Sequence, residues 1–259
     1  MSDIHDRVKA QFSKAAKAYV QSSIHAKGKD LELMVNLAGD LAEKTVLDIA
    51  TGGGHTALAF AKAGARVTAS DLTPTMLETA QNFIVSQGFK DLSYVEAAAE
   101  ALPFEAHSFD VVTCRIAPHH FAEVSQFVRE VARVLKRNGS FLLIDNIAPE
   151  NKALSEVMNY VEKTRDPSHV KAYSFHEWLH YLLAAGLEPH YFLRFERNKD
   201  WQEWVANAQM PEAESEKLER YILSLPENQK TYLNVKEEAG RLLSLSHEVA
   251  LIQAKPMLQ

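Results

Sequence analysis

Three consecutive glycines, Gly52, Gly53 and Gly54, separate a short β-branched run at 45–50 (TVLDIA) from a small apolar, helix-compatible stretch at 56–63. The chain has only ten glycines, so their clustering marks a turn with a special backbone requirement. Between a strand and a helix, glycine lets a ligand approach the backbone where any Cβ would collide. The run from Gly52 to Ala57 also satisfies the loose dinucleotide pattern G-x-G-x-x-G/A. The local expectation is a strand–turn–helix unit.

The surrounding sequence repeats that texture. A second short strand at 66–70 (RVTAS) closes on Asp71, and Pro74 opens a helix whose buried stripe is Met76, Leu77, Ala80, Phe83 and Ile84. A third strand is expected at 92–96, a fourth at 109–114 (FDVVTC), a helix at 127–135, and a turn at Asn138-Gly139 into a fifth strand at 140–145 (SFLLID). Strands separated by single helical patterns predict right-handed βαβ units in a doubly wound, Rossmann-like parallel sheet. Ahead of it, Phe12, Ala15, Ala16, Tyr19 and Val20, then Leu31, Leu33, Met34 and Leu37, recur at helical spacing. Beyond Asp145 the pattern predicts helices at 154–161 and 174–185, a sixth strand at 187–195, a charged helical insertion at 201–225 and a final strand at 243–254. The expected architecture is one α/β domain with helical additions at both ends.

Composition narrows the function classes. At 259 residues and 46% hydrophobic the chain can bury a core without disulfides. Cys114 is the only cysteine, which excludes an intramolecular disulfide and fits a reducing, cytoplasmic setting. The longest stretch free of charged residues, 49–61, has 13 residues, too few to cross a bilayer, and the N-terminus lacks signal-peptide form. A net charge of −6 without a polybasic run speaks against nucleic acid as partner. A soluble chain with a small-molecule substrate and no metal site is expected, and a homo-oligomer stays open.

Two acids flank the glycine turn. Asp48 lies inside the first strand and Asp71 ends the second; in a doubly wound sheet adjacent strands end side by side, so both carboxylates are expected to converge with the turn on one crevice. Asp71 can accept hydrogen bonds from both hydroxyls of a ribose, and Asp48 suits a cationic group. A ligand carrying a ribose and an ammonium group, S-adenosylmethionine, matches better than a nicotinamide dinucleotide. The structural alternatives are that Asp48 serves a helix N-terminus and that Asp71 caps the helix at Pro74.

The run Val46-Leu47-Asp48-Ile49-Ala50-Thr51-Gly52-Gly53-Gly54 resembles the first motif of class I S-adenosylmethionine-dependent methyltransferases. Asp71-Leu72-Thr73-Pro74-Thr75-Met76-Leu77 resembles the second, as the ubiquinone/menaquinone C-methyltransferase-like (type 11) group carries it. The segments 99–104 (AEALPF), 109–112 (FDVV) and 133–139 (RVLKRNG) continue the series in order. The resemblance implies a seven-stranded sheet with the last strand antiparallel, a helical cap at residues 1–40, and a methyltransferase domain at 41–259 with a helical insertion near 200–240. It implies S-adenosylmethionine as cofactor, S-adenosylhomocysteine as product, and cofactor contacts at Asp48, Ala50, Thr51, Gly52, Gly54, Asp71, Leu72, Met76, Ala98, Ala99, Glu100, Arg115 and Tyr19. Two departures stand out: Ala50 replaces a usual glycine, and Ala97-Ala98 replace a usual Gly-Asp whose carboxylate accepts a hydrogen bond from the adenine amino group. Losing that bond costs about 0.5–1.5 kcal/mol if water replaces it.

The fourth strand runs out into Arg115 and the pair His119-His120, at the end of the sheet that carries the glycine turn. Either histidine is suited to take a proton from an acceptor, and Arg115 to hold a carboxylate. The alternative is that one histidine packs inward; His120, where the resembled group carries its histidine, ranks first as catalytic residue. Asp145 and Asn146 end the fifth strand at the same rim, and Arg165, His169 and Tyr173 extend it as candidate substrate contacts, or as a solvated helix face. Cys114 reads as a small core residue. The competing functions are a nicotinamide-dependent oxidoreductase and a non-catalytic binding protein on the same fold.

Overall fold

The structure, a computed structural model, describes residues 2–21 and 28–257, without side-chain detail for 2 and 14–21. The glycine-flanked run forms β1 (Thr45–Ile49), followed by the helix His55–Lys62, β2 (Arg66–Asp71) and the helix Pro74–Ser86. Then come β3 (Ser93–Glu96), β4 (Phe109–Arg115), a 3-10 turn Pro118–His120, the helix Val124–Val134 and β5 (Leu135–Ala148). The C-terminal part contributes β6 (Tyr173–Ser174), β7 (Leu187–Asp200), β8 (Lys236–Glu238) and β9 (Arg241–Pro256).

The main sheet runs in the order β3-β2-β1-β4-β5-β9-β7, with β6 beside β5 and β8 beside β9. β1 to β5 pair in parallel, whereas β9 is antiparallel to both β5 and β7. The expected seven strands with an antiparallel last strand are all present, and β6 and β8 add short flanking pieces.

The parallel strands β1, β2, β4 and β5 are largely buried on both faces, with β3 a more exposed edge, and their period of two sorts the core. Leu47, Ile49, Val112, Cys114, Phe141 and Leu143 pack on one face with Phe127, Val131, Trp178 and Leu182. Val46, Val111, Leu142 and Ile144 pack on the other with Phe60, Leu58 and Ile84. Cys114 is a core residue, fully buried. The predicted charged insertion divides into three helices, Trp201–Asn207, Glu212–Leu223 and Glu227–Tyr232. They close over a third apolar cluster containing Val161, Trp201, Trp204, Leu218 and Ile222.

One local expectation fails. Asn138-Gly139 does not turn the chain into a separate strand; Gly139 lies within β5, beside a register shift between Phe109 and Val111. A Cβ at Gly139 would stand 2.7 Å from Leu135 Cδ1 and 2.9 Å from the Asp110 carbonyl, so close backbone approach explains this glycine.

Strand order reverses between β1 and β4, and such a switch point leaves a crevice outside the carboxyl ends of the strands. The tips of β1, β2 and β4 therefore share one hollow.

Candidate active site

At the tip of β1 the chain enters the left-handed region three times, with φ of 53° at Ala50, 54° at Gly52 and 83° at Gly54. The turn is tied to the tip of β2: Thr51 N–H donates to the Ser70 carbonyl at 2.9 Å and Gly52 N–H to Asp71 Oδ2 at 3.0 Å. Asp71 Oδ1 accepts from Thr73 N–H at 2.9 Å. Each oxygen of Asp71 thus holds one backbone proton and keeps a further lone pair, while burial raises the carboxyl above its ordinary value.

The glycines divide their work. A Cβ on Gly54 would lie 2.9 Å from Ile84 Cδ1 and 3.0 Å from Ala80 Cβ, so Gly54 serves helix packing rather than the ligand-facing surface. Overpacking and positive φ together make Gly54→Ala cost about 2–4 kcal/mol in a urea unfolding curve. Ala50 adopts the conformation for which the resembled family uses glycine. Ala50→Gly is expected to stabilise by about 0.5–1 kcal/mol, the relieved strain exceeding the added chain entropy.

The hollow has a volume of about 940 Å³, including the part open to solvent. Ala50, Thr51, Gly52, Gly53, Asp71, Leu72 and Met76 form its floor, and Ala97, Ala99 and Glu100 one side. Arg115, Ile116, Ala117, His120 and Phe121 form the far end. His5, Val8 and Phe12, from the helix Ser2–Gln21, complete the wall. Ile116 is a β-branched residue at φ 54°, a costly conformation of the kind that clusters at functional sites. Arg115 bonds Asp30 through Nε at 2.9 Å, and Arg197 reaches the same Asp30 oxygen at 3.1 Å. Two guanidinium groups thus share one buried carboxylate.

Of the residues expected at the cofactor, Ala50, Thr51, Gly52, Asp71, Leu72, Met76, Ala99, Glu100 and Arg115 line this hollow; Asp48, Gly54 and Ala98 do not. Asp48 shares a strand face with Val46 and turns beneath the helix His55–Lys62. Its carboxylate accepts from Thr51 Oγ1 at 2.7 Å and Thr113 Oγ1 at 2.8 Å, and it draws on the Ala57 amide. Burial pushes it up to about 6 despite those bonds. It braces the turn, the structural alternative. Ala97 and Ala99 take the wall positions on either side of Ala98, which is bridged to Ala101. The side chain of Tyr19 lies outside the described residues.

The two histidines part company in the 3-10 turn. His119 points away from the hollow: its Nδ1 lies 2.6 Å from Asp145 Oδ1 and its backbone N–H donates to Asp145 Oδ2 at 2.9 Å. Burial would lower its pKa, but the Asp145 carboxylate overrides that and raises it. His120 reaches the wall, and burial first, then the charge of His119, push it down to about 4.

The other expected acceptor contacts lie behind the wall. Asp145 is consumed by His119, and Asn146 Oδ1 by His247 Nε2 at 3.0 Å. Arg165 packs over the Trp204 ring, His169 Nε2 meets Asn159 Oδ1 at 2.9 Å, and Tyr173 is buried against Trp178 and Tyr181. None of these five forms part of the hollow. Phe12 belongs to the helical stripe that the resemblance set as a cap over the site with Tyr19 at the cofactor; Phe12 itself was not expected in the wall. His5, Val8 and Ile116 carried no local signal.

A doubly wound sheet with an antiparallel last strand, holding a glycine turn and the acid of the second strand on one crevice, defines the class I methyltransferase architecture. The family profile described as a methyltransferase domain matches residues 47–143. Methyltransferase YcgJ of Bacillus subtilis strain 168, itself uncharacterized, is 37% identical over 243 residues, 93% of this chain and 96% of YcgJ. The YcgJ crystal structure superimposes with a TM-score of 0.86 over 89% of this chain and 99% of YcgJ. A demethylmenaquinone methyltransferase of Chlorobaculum tepidum is 34% identical over 116 residues, 44% of this chain and 46% of that protein. The chain belongs to the methyltransferase family, for which the sequence motifs imply S-adenosylmethionine as the cofactor.

The hollow fits that cofactor. Asp71 lies at the crevice with its oxygens each on one backbone amide, apolar Leu72, Met76, Ala97 and Ala99 line the space beside it, and Arg115 supplies a cation at the far end.

Proposed function

We propose that this protein methylates a small-molecule acceptor held beside His120, beneath the helix Ser2–Gln21. The observation that carries the reading is that Asp71, the glycine turn and His120 open onto one hollow. In this reading Asp71 holds the ribose hydroxyls, the Gly52 and Gly53 backbone borders the amino-acid tail, and Arg115 meets its carboxylate. Leu72, Met76, Ala97 and Ala99 flank the adenine. S-Adenosylmethionine supplies a methyl group already activated by its sulfonium. The protein's part is to align the acceptor and exclude water. The faces of Phe12 and Phe121 suit a neighbouring cation. No helix among the described residues is long and apolar enough to cross a membrane.

The test uses a methyl-labelled donor with a cell extract containing small molecules, nucleic acid and protein. Label recovered in the low-mass fraction is the expected result. Label confined to nucleic acid or protein, or no transfer at all, contradicts the reading. Saturable heat with S-adenosylhomocysteine and none with NADH separates it from an oxidoreductase.

A further inference from the structure

His120 is backed by a line of hydrogen bonds. Ser168 Oγ donates to Asp166 Oδ1 at 2.6 Å, and the same oxygen stands 3.1 Å from His120 Nδ1. A serine hydroxyl has one proton. With that proton on the bond to Asp166, the contact to His120 requires the proton of Nδ1–H. Asp166 is the accepting end of the line: the Ser168 hydroxyl donates to it and the Arg165 guanidinium stands 3.8 Å from its other oxygen. The Ser168 amide also donates to Asp166 at 2.9 Å, which fixes the serine in place. His120 is thereby set in one tautomer, with a lone pair on Nε2. That nitrogen has no hydrogen-bond partner among the described residues, on a ring that lines the hollow.

The groups around the ring favour the neutral base. His119, with ring centroid 4.1 Å away, is paired with Asp145, whose carboxylate raises its pKa against burial, and a second cation beside it is unfavourable. His169, 6.5 Å away, donates from Nε2 to Asn159, whose oxygen already accepts from Ala172 N–H. Its Nδ1 is buried without a partner, so His169 is neutral too. Phe12 meets the His120 ring edge-on at 5.0 Å and shields it from water.

We propose that His120 Nε2 takes a proton from the acceptor, that Ser168 and Asp166 are its positioning residues, and that the acceptor is an apolar molecule bearing an acidic hydroxyl of phenol or enol type. This rests on the methyl-transfer reading above. The acceptor's O–H bond breaks with its electron pair left on oxygen for the bond to the incoming methyl carbon, and the proton joins Nε2. The imidazolium charge is stabilised through Nδ1–H and Ser168 by Asp166, and water takes the proton after product leaves. A neutral imidazole packed 4.1 Å from His119 and walled by apolar side chains takes a proton more readily from an acidic hydroxyl than from an aliphatic alcohol. The apolar wall of Val8, Phe12, Ile116, Ala117 and Phe121 suits a flat, apolar acceptor.

Nitrogen NMR of the full chain labelled in histidine, without ligand, tests the relay directly. The expected spectrum has His120 protonated on Nδ1 alone at neutral pH and gaining its second proton only near pH 4. In Ser168→Ala the tautomers mix; in Ser168→Thr, which keeps the hydroxyl, the Nδ1–H form returns. A wild-type His120 protonated on Nε2, or on both nitrogens at neutral pH, overturns the relay. The acceptor class is tested by offering the wild type and labelled donor a panel of phenols, enols, aliphatic alcohols and amines. Phenols or enols are expected to be methylated, with kcat down about 100-fold in His120→Ala and about tenfold in Ser168→Ala. Methylation of amines alone, unaffected by His120→Ala, overturns the acceptor class. Failure to bind S-adenosylhomocysteine would instead strike the methyl-transfer reading, which the NMR result does not depend on.

Discussion

Asp71→Ala lowers the affinity for S-adenosylhomocysteine about 100-fold in a calorimetric titration. A carboxylate facing two sugar hydroxyls makes two charge-assisted hydrogen bonds, each contributing about 1.5–3 kcal/mol. About 3 kcal/mol of net loss is a factor of roughly 150. The same substitution frees the Gly52 and Thr73 amides, which the Asp71 oxygens hold at 3.0 and 2.9 Å, so the glycine turn loses its tie to β2. Asp71→Asn keeps one acceptor oxygen and is expected to lose about tenfold. Equal affinity in wild type and Asp71→Ala would remove the sugar from this carboxylate.

Acid is the second large effect. Lowering the pH from about 7 to about 4.5 is expected to cost about 2–3 kcal/mol of stability, read from urea unfolding midpoints. His120 and His169, with an ordinary value of 6.5, are pushed down to about 4 and about 3, in each case first by burial. The unfolded chain therefore binds protons below pH about 6.5 that the folded chain refuses until about 4 or below, and stability falls across that window. Asp48, pushed up to about 6 by burial, works in the opposite direction, because its protonation relieves a buried charge as the pH falls. His247, pushed down to about 4 first by burial, adds to the decline; the raised Asp71 and His119 oppose it together with Asp48, and the three lowered histidines outweigh them. His169→Gln keeps a donor for Asn159 but cannot titrate, so its acid decline is shallower. A stability flat from pH 7 to 4.5 would contradict the neutral, buried state assigned to both rings.

The parallel sheet was legible because β1, β2, β4 and β5 each carry a short apolar run and alternate with helical patterns, a signal that needs no tertiary context. Asp71 was legible because it ends β2, whose tip lies beside that of β1 at the crevice. Asp48 was misread, although the period of two was available. It shares a face with Val46, whose neighbours belong to the helix His55–Lys62, so its carboxylate meets Thr113 and the helix instead of the hollow. His119 and His120 are adjacent in sequence, and only the 3-10 turn decides that one meets Asp145 while the other meets the hollow. The relay behind His120 depends on Asp166 and Ser168, over 40 residues away in a segment that no strand–helix rhythm governs. The wall built by His5, Val8 and Phe12 comes from a helix whose docking no local pattern records.

A crystal structure with S-adenosylhomocysteine bound tests the central claim most directly. Density is predicted across the tips of β1 and β2, with the ribose oxygens within hydrogen-bond distance of the Asp71 carboxylate and the sulfur turned toward His120. A nucleoside seated elsewhere, or a sugar oriented away from Asp71, would contradict it.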